Sequence, residues 1–437
     1  MQIPKLMEHI ASGKLDGALA GLYPDTDAAR QRYLNNLAAY RAAFGDGDVR
    51  LFSAPGRTEI GGNHTDHQNG CVLAAAVHLD VIGCAGAQEG CIEIRSEGYP
   101  PNCVTLRDLS PVQAERGSTD ALIRGVCAYF AKKGYAVGGF RAHTVSNVAG
   151  GAGLSSSAAF SVLVGTILSR LYNGGGVPAA EIAQAGRYAE NEYFGKPSGL
   201  MDQMAAAVGG FVGIDFGGAQ PRVEPVRFDF GATGHRLCIV DTRGSHAGLT
   251  GEYAAVRDEM TQVARALSKR TLAETDLRAF FRELPRLRAA CGDRAVLRSM
   301  HFLQETRRAV EEKEALQQGR FGAFLGLVNE SGASSTALLQ NIYPTGAHEK
   351  QPAAVALAVS NLALQGRGAC RIHGGGFGGT VQAFVPDELF GGFRAALDHV
   401  FGAGACQEVR IRSTGGTELA ADAYPPKKQR PGSAQVQ

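Results

Sequence analysis

A chain of 437 residues, 44% hydrophobic and 20% charged, has the balance of an ordinary globular protein and the length for two cored domains. A formal net charge of +2 gives no global field to recruit nucleic acid or a membrane surface, and no apolar run reaches the length of a membrane span. Nine cysteines, an odd number with no C-x-x-C pair, point to free thiols in a reducing cytosol and away from a disulfide framework or a zinc site. The first residues, Met1-Gln2-Ile3-Pro4-Lys5, lack the apolar core of a secretory signal.

The chain reads as helical to about Phe44, with Leu34, Leu37, Tyr40 and Phe44 on one face. Short strands are expected at 49–54, 72–77, 81–84 and 92–95. Between the first two lies a polar segment, Ala54-Pro55-Gly56-Arg57-Thr58-Glu59-Ile60-Gly61-Gly62-Asn63-His64-Thr65-Asp66-His67. Arg57 offers a planar cationic fork for phosphate or carboxylate, and Asp66 offers two acceptors suited to a pair of sugar hydroxyls. A surface loop with turn glycines is the plainer account of the same residues.

A helix is expected over 121–133 and a strand over 140–146. Then comes Val148-Ala149-Gly150-Gly151-Ala152-Gly153-Leu154-Ser155-Ser156-Ser157-Ala158-Ala159, followed by apolar residues at helical spacing. A glycine-rich turn at a helix N-terminus aims backbone N–H groups at an anion, and the helix dipole has the favourable sign. The run reads as a phosphate cradle with serine hydroxyls near a metal ion. It is not the G-x-x-x-x-G-K-S/T loop, since no lysine follows, and Ser156 stands where a dinucleotide fingerprint needs its third glycine. Taken alone it is also compatible with a flexible turn capped by serines.

Helices follow at 179–194 and 200–208. Between them Gly195-Lys196-Pro197-Ser198-Gly199-Leu200-Met201-Asp202-Gln203-Met204 sets one carboxylate among apolar neighbours, where it needs a partner or takes a shifted pKa. Glu190 is a second acid upstream; a helix cap or a core ion pair is the alternative role for either. Strands are expected at 211–215 and 236–241, and helices at 252–269, 307–318 and 321–339. Residues 368–385 read as strand, glycine loop, strand. The formal G-x-G-x-x-G at Gly374, Gly376 and Gly379 therefore precedes a strand, which excludes a dinucleotide site. Helices mixed with mainly antiparallel strands give an α+β protein. Domains are expected at 1–218 and 219–424, with a disordered tail at 425–437 carrying Lys427, Lys428 and Arg430 among prolines.

Four of these segments together resemble the GHMP kinases, and within them the galactokinase branch. The branch's N-terminal signature, roughly G-R-x-N-x-I-G-E-H-x-D-Y, is similar to Gly56–His67; its nucleotide loop G-x-G-L-S-S-S-A to Gly151–Ala158; its P-x-G-I-M-D-Q to Pro197–Gln203; and its T-G-G-G-F-G-G to His373–Gly379. The resemblance implies two lobes, mixed but mainly antiparallel sheets flanked by helices, and a site between the lobes. It implies ATP-dependent phosphorylation of the C1 hydroxyl of galactose. Phosphates would lie over Gly150, Gly151, Ala152, Gly153, Leu154, Ser155, Ser156 and Ser157. Ser157 and Glu190 would hold Mg²⁺, Asp202 would face the sugar C1 hydroxyl, and Arg57 would stabilise the moving phosphoryl group. Asn63, His64, Asp66, Gly199 and Tyr253 would line the sugar site.

The departures lie in the sugar and base pockets. Asn63 stands where the signature has glutamate, Glu59 where it has asparagine and His67 where it has tyrosine. Ser245 replaces an arginine, and with no tryptophan in the chain Thr119 lies near an adenine-flanking position. The changes at Asn63 and His67 keep galacturonate or N-acetylgalactosamine open as the acceptor. A non-catalytic sensor of sugar and ATP would be marked by loss of the loop, Glu190, Arg57 or Asp202, and all are present.

Overall fold

The computed structural model describes residues 1–148, 153–196, 198–244 and 248–420. The first helices are α1 (Ile3–Ala11), α2 (Asp16–Leu22) and α3 (Thr26–Phe44). Asp25 caps α3 by accepting the Ala28 N–H at 2.9 Å, and Gly45 stops it at φ +82°. These helices bury Ile3, Leu19, Tyr33 and Leu37 against Leu51, Ile82 and Cys84.

The main sheet is built around two long strands, β1 (Arg50–Gly61) and β2 (Cys71–Gln88). With β3 (Cys91–Ser96), β4 (Asn102–Thr105), β5 (Gly139–Ser146), β6 (Phe211–Asp215), β7 (Arg222–Val226) and β12 (Thr417–Leu419), it forms an eight-stranded sheet. Its main order is β12-β1-β2-β5-β3-β4, and β2 carries β6, then β7, along its other half. Pairing is antiparallel throughout except β3 with β5. The helices α4 (Thr119–Lys132), α5 (Ser156–Tyr172), α6 (Ala179–Tyr188) and α7 (Met201–Val208) pack together beside it, burying Ile123, Phe130, Leu163, Ile167 and Met204 with Phe52, Phe140 and Val212.

The second sheet has the order β11-β8-β10-β9, from β8 (His235–Asp241), β9 (Ala369–His373), β10 (Thr380–Pro386) and β11 (Cys406–Val409). Around it lie α8 (Thr250–Ala266), α9 (Leu277–Cys291), α10 (Asp293–Gln317), α11 (Phe321–Ser334), α12 (Pro352–Leu364) and α13 (Phe390–Phe401). The architecture is the expected α+β.

Several local expectations change. The polar segment is not a loop between strands: β1 runs on through Gly61, and Arg57, Thr58 and Glu59 pair with Ala76, Ala75 and Ala74. The expected strands at 72–77 and 81–84 are one strand, because Asp80 stays in register opposite Pro55. The helix expected over 179–194 changes to π-helical winding at Ala189–Phe194. The boundary expected at 218/219 falls before β7, which joins the first sheet, as does β12 from the far end of the chain.

Candidate active site

A register shift in β1 between Pro55 and Arg57 turns the strand at the start of the signature. Arg57, 8% exposed, donates from Nε to Asp202 Oδ1 at 2.7 Å and from Nη1 to the Gly153 carbonyl. Its backbone N–H donates to the Leu154 carbonyl at 3.0 Å. One arginine thus ties the glycine–serine loop to the acid on α7. Asp202 sits in the first turn of α7, where the helix dipole favours negative charge. Its other oxygen, Oδ2, accepts from the Ser155 hydroxyl. Burial pushes the Asp202 pKa up, but the Arg57 charge, the Arg57 and Ser155 hydrogen bonds and Lys196 hold it below the ordinary carboxylate value.

At the second residue of α5, the Ser157 hydroxyl donates to Glu190 Oε1 at 2.7 Å. Glu190 Oε2 accepts from Gln203 Nε2 at 3.1 Å, with Lys196 Nζ at 3.9 Å. The π-helical turn carries Glu190 to this place, and it is 2% exposed. Gln203, not singled out in the sequence, follows Asp202 directly, so adjacent residues of α7 serve the two acids.

Asp66 opens a short 3₁₀ turn and accepts the His67 N–H at 2.8 Å. A side chain at Gly199 would begin 2.2 Å from Asp66 Oδ2, so anything larger than glycine there would displace the Asp66 carboxylate. Burial raises the Asp66 pKa; His64 opposes this while Glu59 and Asp202 add to it. His64 Nε2 donates to the Gly375 carbonyl at 3.0 Å, and the Tyr253 hydroxyl donates to the Gly376 carbonyl at 3.3 Å. His67 has both ring nitrogens buried without a partner, and burial lowers its pKa to about 3.

The structure therefore brings Arg57, Asp202 and Ser155 into one hydrogen-bonded set and Ser157, Glu190 and Gln203 into a second, the two meeting at the adjacent residues Asp202 and Gln203 of α7, with Asp66 and Gly199 together beside them. Gly150, Gly151 and Ala152 of the expected cradle lie outside the described residues. So does Pro197. Gly153 has φ +69°, and a Cβ there would lie 3.0 Å from His373 Nδ1.

Residues 121–210 match the model of the GHMP kinases N terminal domain. That stretch of the chain is a GHMP kinase N-terminal domain. Residues 38–87 match the galactokinase galactose-binding signature, which makes the chain a sugar kinase of the galactokinase type. Its fold is that of a Lactococcus lactis galactokinase complexed with galactose, at TM-score 0.74 and 24% identity over 87% of this chain and 98% of that one. A Methanococcus jannaschii mevalonate kinase shares it at TM-score 0.59 and 15% identity, over 84% and 99%. A Streptococcus pneumoniae phosphomevalonate kinase does so at TM-score 0.58 and 13% identity, over 84% and 100%.

In this site one expected sugar ligand is turned away. Asn63 is fully buried. Its Nδ2 donates to Glu59 Oε1 at 2.9 Å and to the Gly374 carbonyl at 2.6 Å, and its Oδ1 accepts from Asn341 at 2.9 Å. The side chain's hydrogen-bonding capacity is spent inside the protein. Glu59 is in turn paired with Arg371 of β9, and Glu305 of α10 accepts the Gly62 and Asn63 N–H groups at 3.2 and 3.3 Å. The exchange of acid and amide between positions 59 and 63 is a structural joint between the lobes. Sequence reasoning registered both departures but not that they touch each other.

Proposed function

We propose that this site transfers the γ-phosphoryl group of ATP to the C1 hydroxyl of galactose, giving galactose 1-phosphate and ADP. The observation that carries the reading is the Arg57–Asp202 ion pair, 2.7 Å long, tied directly to the glycine–serine loop. Phosphoryl transfer needs the phosphates held, their charge neutralised and the acceptor oxygen in line. The loop through Ser157 supports the first. Arg57 supplies fixed positive charge where the transferring group would pass. Asp202 stays ionised beside it and is placed to accept or orient the acceptor hydroxyl. Asp66, with Gly199 against it, would read ring hydroxyls, with His64 and Tyr253 nearby.

Ser157, half-buried, and Glu190, buried, present two oxygens 2.7 Å apart, a donor set that suits Mg²⁺, which takes few protein ligands and keeps water and phosphate oxygens. When bound, the ion would neutralise phosphate charge. Among the described residues no group of three or more His, Cys, Asp or Glu side chains is placed to cage a metal.

The test is ADP release with ATP and a panel of free sugars. Galactose is expected to be turned over best. The resemblance implies that the signature's glutamate contacts the sugar O6; because Asn63 is withdrawn, we expect wider tolerance of changes at C6 than glutamate at that position would allow. Turnover of galacturonate or N-acetylgalactosamine with none of galactose would overturn the substrate and leave the reaction class standing.

A further inference from the structure

Ser155 stands at the N-cap position of α5, where a serine hydroxyl ordinarily turns back onto the first helical N–H groups. It does not do so here. Its backbone adopts the left-handed region, φ +60° and ψ +62°, which residues other than glycine rarely take. Its hydroxyl instead crosses to α7 and donates to Asp202 Oδ2. On the other side of the same carboxylate, Arg57 bonds Oδ1 and also holds the Gly153 carbonyl, two residues before Ser155. Gly153, Arg57, Asp202 and Ser155 thus close a ring, and the carboxylate plane is gripped at both oxygens. Two local preferences, the cap and the backbone conformation, are given up for one contact.

We propose that Ser155 is a positioning residue for Asp202, fixing the orientation of the carboxylate that receives the sugar hydroxyl, and not a ligand of the ATP phosphates. The proposal rests on the role given above to Asp202. It departs from the expectation that every serine of the loop serves the nucleotide: Ser157 turns to Glu190, and Ser155 to the acid of the chemical step. The groups facing Asp202 are Arg57 from β1, His373 from β9, Lys196, and Asp66 from the 3₁₀ turn. His373 is buried, and its pKa is pushed well below the ordinary histidine value, by burial first. It carries no charge to replace the one Arg57 provides. The Ser155 bond is one of the contributions that keep Asp202 ionised.

The experiment compares Ser155→Ala, Ser155→Gly and Ser155→Thr with the parent protein. The readouts are the pH profile of kcat/KM for the sugar, kcat, and the ADP affinity by calorimetry. The glycine variant removes the hydroxyl while accepting the left-handed backbone, so it separates the contact from the strain. We expect Ala and Gly to lower kcat on the order of tenfold and to move the acidic limb to higher pH, with ADP affinity within about twofold of the parent. Threonine keeps a hydroxyl and is expected to restore the limb. An unmoved acidic limb in both Ala and Gly overturns the proposal. So does a loss that appears wholly as weaker ADP binding, which would return Ser155 to the phosphates. Asp202→Asn is run alongside: near-parental kcat there would remove the role of Asp202 itself, a failure told apart from one confined to Ser155.

Discussion

Asp80 and Asp202 are each held by arginine and serine, and they differ in what is left over. Asp80 is fully buried on β2. Arg32 reaches Oδ1 at 2.5 Å, while Tyr23 at 2.5 Å, Arg412 at 3.1 Å and Ser53 converge on Oδ2. Asp202 has one arginine and one serine, and its side chain is 26% exposed. In both, burial pushes the pKa up and arginine charge brings it below the ordinary value. A fully buried carboxylate held by four donors from distant segments holds elements together. One with acceptor capacity left open can receive a substrate hydroxyl. The charge is the same; saturation separates structure from chemistry.

The widest separation is expected from removing each acid. Asp202→Ala should lower kcat by about 10²–10⁴-fold, the range for a positioned acid–base group, with a smaller loss of Tm than at Asp80 because one arginine and not two is left without its carboxylate. Asp80→Ala should instead cost about 3–5 kcal/mol of stability by stranding buried arginines, while the folded fraction keeps its activity. Thermal melts and active-site-normalised kcat decide between the two; a reversal of roles would break the comparison. Next, Arg57→Leu should also depress kcat, and combined with Asp202→Ala the two losses should fall short of their sum, since both act on one transition state. Fully additive losses in that cycle would mean the pair does not work as a unit.

A smaller effect is expected at the second pair of acids. Glu190 and Glu312 are both buried, but Glu190 has Ser157, Gln203 and Lys196 around it, whereas both oxygens of Glu312 lack a partner. Glu190→Gln should raise the Mg²⁺ concentration needed for turnover; a metal titration superimposing on that of the parent would refute the assignment. At Glu312 burial lifts the pKa well above the ordinary carboxylate value, with Glu305 adding to the shift. The folded state then keeps a proton that the unfolded chain releases above its own carboxylate pKa. Stability is therefore lost as pH rises from there toward the folded value. Glu312→Gln removes that slope, so its stability advantage over the parent should grow between about pH 5 and pH 8. Parallel urea midpoints across that range would show that Glu312 is ionised in the folded protein.

Much of this was legible in the chain, and the failures have physical causes. Alternation located β6 and β8, and the small-residue run located the start of α5. Arg57 and Asp202 were singled out as polar groups in apolar or glycine-rich settings, but they are 145 residues apart, and their pairing came through the family resemblance. The first half of α10 was missed because its buried face carries Arg298, His301 and Glu305, which erases the hydrophobic period. Asp80 gave no signal for the same reason: a charge inside an apolar strand looks like a break unless its partners, far away in sequence, are known. The inward turn of Asn63 follows from contacts with Gly374 and Asn341, across 311 and 278 residues, which no local pattern carries.

The return of the chain to its first sheet has a consequence for synthesis. β12 closes the edge of β1 at Leu51, Phe52 and Ser53, and Arg412 reaches Asp80 from 332 residues downstream. On the ribosome the early lobe waits with an uncovered strand edge and a buried acid short of one cation until the last described strand emerges. A nascent chain halted before Arg412 presents the kind of edge on which chains mispair, so slow passage through this final stretch prolongs exposure to aggregation.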